Sequence, residues 1–439
     1  MSPTDSATLE IAPPMAMPAV DREPQDAAVA TARRLWIEPV LSTVLMQVLC
    51  ISIMWLGYLL HPVKVNYRSD NSHAGVIADL PAYYRDYARH QAEYGKTPMI
   101  GLELGGKLGW LRPLVRWDSF WLLSVAEQGY VVDAKLKMQQ NIAYFPLYPA
   151  LVRLGMLMGL PSPVAAVAIS LSAMLLTGVL LFRLCASIYS VSAARWTLWL
   201  WLCFPTSMFG VAAYADSCLS LLTILALANV LQNQPLRAGL WAGLASGLRP
   251  PGLTVGMMLL QNLFTRRWKA ALLGGMLSFA GIGLYFAFLG WQYGDPLLYL
   301  KIIRTWREQG TSLDPRNWAR AIVVGTVNAV RLIVQQKPEY MFKSGAITDP
   351  LLILWCLWFL PSVRKLGWGV LLGTLVAVIL PLSTGSTWSI GRYTWSMLPV
   401  FIVAGQRLST TRWGWLTFIP FIVGWAWLAF LFGGGWEVT

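Results

Sequence analysis

Apolar and polar positions separate along this chain into long blocks. With a window of about 19 residues, apolar runs cover 36–60, 145–160, 164–188, 195–210, 213–232, 236–264, 269–292, 347–363, 366–382, 394–407 and 413–432. Most approach the ~17–25 residues that cross a bilayer core as helix. The pattern therefore predicts an all-α polytopic membrane protein with about eleven or twelve transmembrane helices. The run 236–264 is interrupted by Arg249-Pro250-Pro251-Gly252. Proline lacks the backbone donor and breaks a helix, so two short or half-membrane helices are expected there.

Two long polar segments, 61–145 and 293–349, separate groups of runs. In the first, Leu114, Trp117, Trp121, Val125 and Ala126 make an apolar stripe over 114–130. In the second, Leu297, Leu298, Leu300, Ile303 and Trp306 stand among basic residues over 297–309. Both stretches predict amphipathic helices lying in the membrane interface. Residues 1–33 are rich in Ala, Pro, Asp and Ser and read as a disordered cytoplasmic tail, with 34–439 as a single transmembrane domain. The first apolar run is too long for a cleaved signal and is expected to remain as an anchor.

Composition agrees with the pattern. Hydrophobic residues make up 56% of the 439 and charged residues only 13%, against about 25% charged in a soluble domain. A soluble enzyme, a secreted disulfide scaffold and a disordered chain are excluded. Cys50, Cys185, Cys203, Cys218 and Cys356 sit in or beside apolar runs with no CxxC spacing. They read as small packing residues, with no disulfide framework or zinc site.

The net charge of +13 would ordinarily suggest nucleic acid. Here twelve basic residues fall in short gaps between runs: Arg33, Arg34, Arg183, Arg195, Arg237, Arg266, Arg267, Lys269, Arg364, Lys365, Arg407 and Arg412, and most of the rest lie with many acids in the two long polar segments. Lys and Arg concentrate in cytoplasmic loops, so these gaps mark the inner face and no nucleic-acid partner is expected. Segments 61–145, 209–216, 293–349 and 383–393 then face the exterior. Alternation fails once. Two runs separate the exterior segment ending near 145 from the inner gap at 183–195, and one of them lying in the interface would restore the order.

An ionisable residue within an apolar run is a functional candidate by default. Most of the 21 acidic residues lie in the tail or the two polar segments, and Asp216 stands alone at the junction of two spans. Asp118, in Arg116-Trp117-Asp118-Ser119-Phe120-Trp121, opens the helix that Gly129 closes. Either aspartate suits a helix N-cap. Asp118 also has aromatics around it and basic residues on either side, an environment that suits a base accepting a hydroxyl proton near neutral pH. Arg249 at the broken helix and Arg392 in an exterior turn are cations placed to meet an anionic ligand, or snorkelling arginines at helix ends. His61, His73 and His90 match no metal spacing. Most of the 23 tryptophans read as an interfacial belt.

From Arg116 the chain resembles a known family. The run Arg116-Trp117-Asp118, then Ala126-Glu127-Gln128-Gly129-Tyr130, then Phe145-Pro146-Leu147-Tyr148-Pro149 is similar to the PIG-V mannosyltransferases. Their pattern is Trp-Asp, Ala-Glu-x-Gly-Tyr and Phe-Pro-x-x-Pro. The likeness continues at Tyr214-Ala215-Asp216-Ser217, at Gly247-Leu248-Arg249-Pro250-Pro251-Gly252, and more weakly at Arg392-Tyr393. Asp stands at 216 where the family often has Glu, and Pro-Pro at 250–251 where it has Ser-Asn, as in a distant, bacterial-type relative.

The resemblance implies the GT-C fold and transfer of a hexose, foremost mannose, from a polyprenyl-phosphate-linked donor. The acceptor would be a hydroxyl on a glycan, glycolipid or protein at the periplasmic or luminal face. It implies Asp118 as the catalytic carboxylate, with Asp216 orienting the acceptor or the catalytic pair. Arg249 and Arg392 would receive the departing phosphate, with Arg304 and Arg320 as outside candidates. Arg116, Trp117, Trp121, Tyr214 and Tyr393 complete the expected substrate-binding set, Trp117 and Trp121 by stacking on sugar. No Asp-x-Asp motif of the metal–nucleotide-sugar type occurs, so no metal or cofactor is expected. A transporter or lipid flippase is the competing class, though no paired internal repeat of the kind transporters carry is visible. A GT-C enzyme with a different sugar is the other alternative.

Overall fold

Helix follows helix through the computed structural model, which describes residues 25–60, 106–132, 140–303, 312, 314–335, 344–384, 387, 389–436 and 438. Among the described residues the α-helices are α1 (Gln25–Leu60), α2 (Asp118–Gln128), α3 (Leu147–Leu157), α4 (Ser162–Ile188), α5 (Val191–Leu202) and α6 (Asp216–Leu231). Then come α7 (Pro235–Ser246), α8 (Gly252–Met257), α9 (Trp268–Leu277), α10 (Ala280–Tyr293), α11 (Leu298–Ile302) and α12 (Pro315–Gln335). The last are α13 (Ser344–Phe359), α14 (Trp368–Leu382), α15 (Ile390–Trp395), α16 (Leu398–Ser409) and α17 (Phe418–Gly433). No strand occurs among these residues. The chain is an all-α polytopic membrane protein.

Among the described residues, five stretches are long and apolar enough to cross a membrane: Leu35–Leu60, Ser162–Ile188, Trp268–Tyr293, Gly345–Leu366 and Gly414–Gly433. Several other predicted runs are broken by proline. The run 236–264 parts between Ser246 and Gly252, as its Pro-Pro pair demands. The run 195–210 ends its helix at Leu202 and continues as a 3₁₀ turn from Pro205 to Gly210. Helix α3, at 11 residues, rises only about 16 Å, about half a bilayer core. The run 145–160 therefore does not cross by itself, which relieves the alternation conflict there.

The stripe predicted over 114–130 is corrected. Helix α2 is buried from Ser119 through Ala126, on every face, because Phe120, Leu122 and Leu123 fill the positions between the stripe residues. A helix apolar all round belongs inside a protein, and α2 packs against α3 and α4. The amphipathic helix is instead α12, where Val323, Val327, Val330 and Val334 form an exposed face and Arg320 and Arg331 stand exposed beside it. In the stretch 297–309 the structure forms α11, with Tyr299 and Ile302 buried and Leu297 and Leu300 exposed. Arg304, Trp306 and the three histidines lie outside the described residues, as do residues 1–24. Helix α1 begins at Gln25 and runs through the boundary expected at 33.

The first and last helices close on each other through glycine. A Cβ at Gly433 would sit 1.9 Å from the Met54 carbonyl oxygen, and one at Gly57 1.8 Å from that of Phe430. Overpacking a close seam typically costs about 1–3 kcal/mol. Gly433→Val is expected to lower the melting temperature in detergent by several degrees; an unchanged melting curve would show that the seam opens without cost.

Candidate active site

The N-terminal ends of α2 and α6, the break before α8 and the short helix α15 converge. Each carries one charged residue: Asp118 is the first residue of α2, Asp216 the first of α6, Arg249 lies in the break, and Arg392 is in α15. A helix N-terminus favours an anion, which suits both aspartates. Neither carboxylate caps its own helix: the N-cap positions are Trp117 and Ala215, without side-chain caps.

The carboxylates turn to the arginines instead. Arg392 Nη1 donates to Asp118 Oδ2 at 2.7 Å, and its Nη2 to Asp216 Oδ2 at 3.0 Å. Arg249 Nη1 donates to Asp216 Oδ1 at 2.5 Å. Tyr144 Oη closes the other end by donating to Asp118 Oδ1 at 2.8 Å. The result is one line of hydrogen-bonded charge: Tyr144, Asp118, Arg392, Asp216, Arg249. Its two carboxylates and two guanidiniums cancel.

Exposure varies along the line. The side chains of Asp216 and Arg392 are 1% and 6% exposed, against 17% for Arg249 and 22% for Asp118. The interior pair is sealed by aromatic faces, with the Arg392 guanidinium 4.6 Å from the Phe209 ring and 4.7 Å from that of Tyr214. Arg249 lies 5.1 Å from the Tyr393 ring. Burial works against the Arg392 charge, but Asp216 and Asp118 outweigh it and hold the guanidinium well above its ordinary pKa. Burial, with the Asp118 carboxylate beside it, pushes the Tyr144 phenol well above its usual value. Tyr144 therefore stays a donor to Asp118.

The turn entering α2 is strained. Trp117 has φ 52°, a conformation that costs about 1–3 kcal/mol in a residue with a side chain and that clusters at functional sites. Two contacts hold it. Trp117 Nε1 donates to the Trp436 carbonyl at 3.1 Å. Tyr214 Oη accepts the Asp118 N–H and donates to the Arg116 carbonyl, each at 3.1 Å. Beyond α2, Asn141 fixes the returning loop by donating to the Gly129 carbonyl and accepting the Val131 N–H, both at 3.0 Å. Tyr130 Oη donates to the Tyr144 carbonyl at 2.7 Å. The Gly-Tyr and Asn-Ile-Ala-Tyr stretches thus set where the Tyr144 hydroxyl meets Asp118.

Of the residues singled out in the sequence, Asp118, Asp216, Arg249 and Arg392 meet directly, with Tyr214 and Tyr393 against their charges. Arg116 turns elsewhere: its Nη2 donates to the Gly433 carbonyl at 3.3 Å and its head lies 5.5 Å from the Tyr58 ring. Trp121 is 4% exposed and stacks on Tyr144 with centroids 6.2 Å apart, so its ring supports the site from behind. Arg320 lies on exposed α12. Sequence reasoning missed Tyr144, although its place between the Asn-Ile-Ala and Phe-Pro elements of the motif marks it.

Beside Tyr393, a cavity of about 20 Å³ opens among Leu219, Pro251, Thr254 and Met258, room for about one water molecule. A larger cavity of about 230 Å³ lies among Tyr189, Lys365, Gln406 and Arg407, and none of the candidate residues lines it.

Comparison with known proteins bears out the motif resemblance. Residues 106–274 match the family described as mannosyltransferase (PIG-V). GPI alpha-1,6-mannosyltransferase 2 of Cricetulus griseus is 29% identical over 163 residues, covering 34% of this chain and 32% of its own length. The protein of the same name from Mus musculus is 28% identical over the same span and shares. The chain thus spans about a third of the length of the curated relatives it matches. No solved structure matches. The family match contains Asp118, Tyr144, Asp216 and Arg249, whereas Arg392 lies beyond it.

Removing one partner from a buried ion pair strands the other charge, at a cost of about 3–5 kcal/mol. Asp216→Ala strands Arg249 and takes one of two carboxylates from Arg392, and is expected to lower the melting temperature far more than Tyr144→Phe, which removes one hydrogen bond worth about 0.5–1.5 kcal/mol. Equal shifts for the two variants in a thermal melt would contradict this ordering.

Proposed function

We propose, on the PIG-V match over residues 106–274, that this chain is an integral-membrane mannosyltransferase of GT-C type. It takes mannose from a polyprenyl-phosphate donor and passes it to an acceptor hydroxyl at the exterior (periplasmic or luminal) face, with inversion and Asp118 as general base. The observation that carries the reading is the gradient of exposure in the charged line. Asp118 is its most exposed carboxylate and is anchored at both oxygens, whereas Asp216 is sealed between two arginines.

In the reaction, the acceptor oxygen attacks the anomeric carbon from the face opposite the phosphate. Its proton passes to Asp118, and the bond from the anomeric carbon to the phosphate oxygen breaks with its electron pair. The products are an inverted mannoside and polyprenyl phosphate. Each carboxylate oxygen has two lone pairs, so Asp118 accepts from the acceptor hydroxyl while Tyr144 and Arg392 keep it oriented. The leaving group is already an anion-stabilised phosphate ester, so one carboxylate suffices, unlike hydrolysis with its two flanking carboxylates.

The cations divide the remaining work. Arg392 is spent between two carboxylates and serves as organiser. Arg249 has five N–H donors, of which Nη1 bonds Asp216, and it is the more exposed of the two. It is assigned to the departing phosphate, where guanidinium bonds are strong. Trp117, half-buried at the entrance to α2, remains available to a sugar face. The name of the relatives, GPI alpha-1,6-mannosyltransferase 2, points to a glycolipid acceptor.

Positioned general-base catalysis contributes about 10²–10⁴ in rate. Asp118→Asn is therefore expected to lower mannosyl transfer from polyprenyl-phosphate mannose, in detergent, at least about a hundredfold without loss of folded protein. Near-normal transfer by that variant would sink the assignment of the base.

A further inference from the structure

We propose that Asp349 is a positioning residue that acts through Arg392, an inference that rests on the transferase reading above. Asp349 lies on α13, in Thr348-Asp349-Pro350, and is 1% exposed. Among the described residues no hydrogen bond joins it to the charged line, although the charge of Arg392 is felt at its carboxyl group. Its Oδ1 accepts the Gly391 N–H at 3.2 Å. Gly391 is gripped from the other side as well, its carbonyl accepting from Thr206 Oγ1 at 2.7 Å.

The gripped segment is the one that presents Arg392. Ser389 has φ 61°, a left-handed conformation that residues with a side chain adopt only when their surroundings fix it. Gly391 must be glycine: a Cβ there would lie 2.6 Å from Asp349 Oδ1 and 2.8 Å from Thr206 Cγ2. A side-chain oxygen that accepts an amide at the start of a short helix does what an N-cap does, here from a distant helix. The next residue is Arg392, whose two nitrogens must reach Asp118 and Asp216 together. Asp349 thereby sets the register of the turn, and the turn sets the guanidinium that orients the base.

The test joins exchange with kinetics. Asp349→Ala removes the acceptor and is expected to speed amide hydrogen exchange at 389–391. It should also lower kcat about tenfold, the upper scale of one ordinary hydrogen bond, with KM for the donor lipid little changed. Asp349→Asn keeps an oxygen for the Gly391 N–H and should restore most of the turnover. In an Arg392→Gln background, Asp349→Ala should add little further loss, because the two residues act as a unit.

A residue that merely packs α13 would instead multiply its loss with that of Arg392→Gln. Such multiplication, wild-type turnover by Asp349→Ala, or unchanged exchange at 389–391 overturns the proposal. Where Asp349→Ala does not fold, Asp349→Leu removes the acceptor with a side chain of similar branching and carries the same comparison in both backgrounds: a loss that vanishes beside Arg392→Gln supports the proposal, and one that persists, or no loss with no change in exchange, overturns it. Failure of the wild-type protein to transfer mannose would refute the transferase reading alone. The exchange measurement would still decide whether Asp349 holds the turn.

Discussion

The ion pairs that run from Asp118 through Arg392 and Asp216 to Arg249 set the terms for the surrounding structure. Taking a charge out of water costs several kcal/mol per ion, recovered only when partners and geometry are good. Four charges are therefore tolerable here only as a set. Two carboxylates sit on helix N-termini, and Arg392 faces Phe209 and Tyr214. Nothing in the cluster can move far without stranding a neighbour. That interdependence is what gives a side chain near the membrane a fixed place to do chemistry.

The fold supplies the fixed places through interruptions. Helices α2, α6, α8 and α15 all begin or sit beside short turns, 3₁₀ segments or proline breaks. Irregular backbone is tolerated where it is buried in protein, and the charged line lies among these interruptions, largely buried. The long helices frame it. The Gly57 and Gly433 seam draws α17 against α1, and Arg116 and Trp117 then reach carbonyls at the end of α17. The strained turn before Asp118 is thereby tied to the last helix of the chain.

How much of this was legible in the sequence depended on whether the cause was local. The break at Arg249-Pro250-Pro251 was legible because proline's missing N–H acts within a few residues. Asp216 was legible because a lone carboxylate at the junction of two apolar spans is expensive. Asp118 and Arg392 were visible as candidates, but their bond joins residues 274 positions apart, which no periodicity encodes. The same holds for Arg116, expected at the substrate and found on the Gly433 carbonyl. Helix α2 misled because a stripe read over five positions ignores what fills the others. Asp349 was hidden by its segment: counted with the polar loop, it lies within the first turns of α13, where its only visible signal was an acid next to an apolar run.

The account stands or falls on whether Asp118 removes a proton or merely holds the site together. Azide is a nucleophile with no proton to lose, so it separates the two roles. With polyprenyl-phosphate mannose and azide as acceptor, Asp118→Asn should form mannosyl azide of inverted configuration at a rate near that of the wild-type protein, while its transfer to hydroxyl acceptors stays low. Loss of azide transfer together with hydroxyl transfer would contradict the account and leave Asp118 a structural residue.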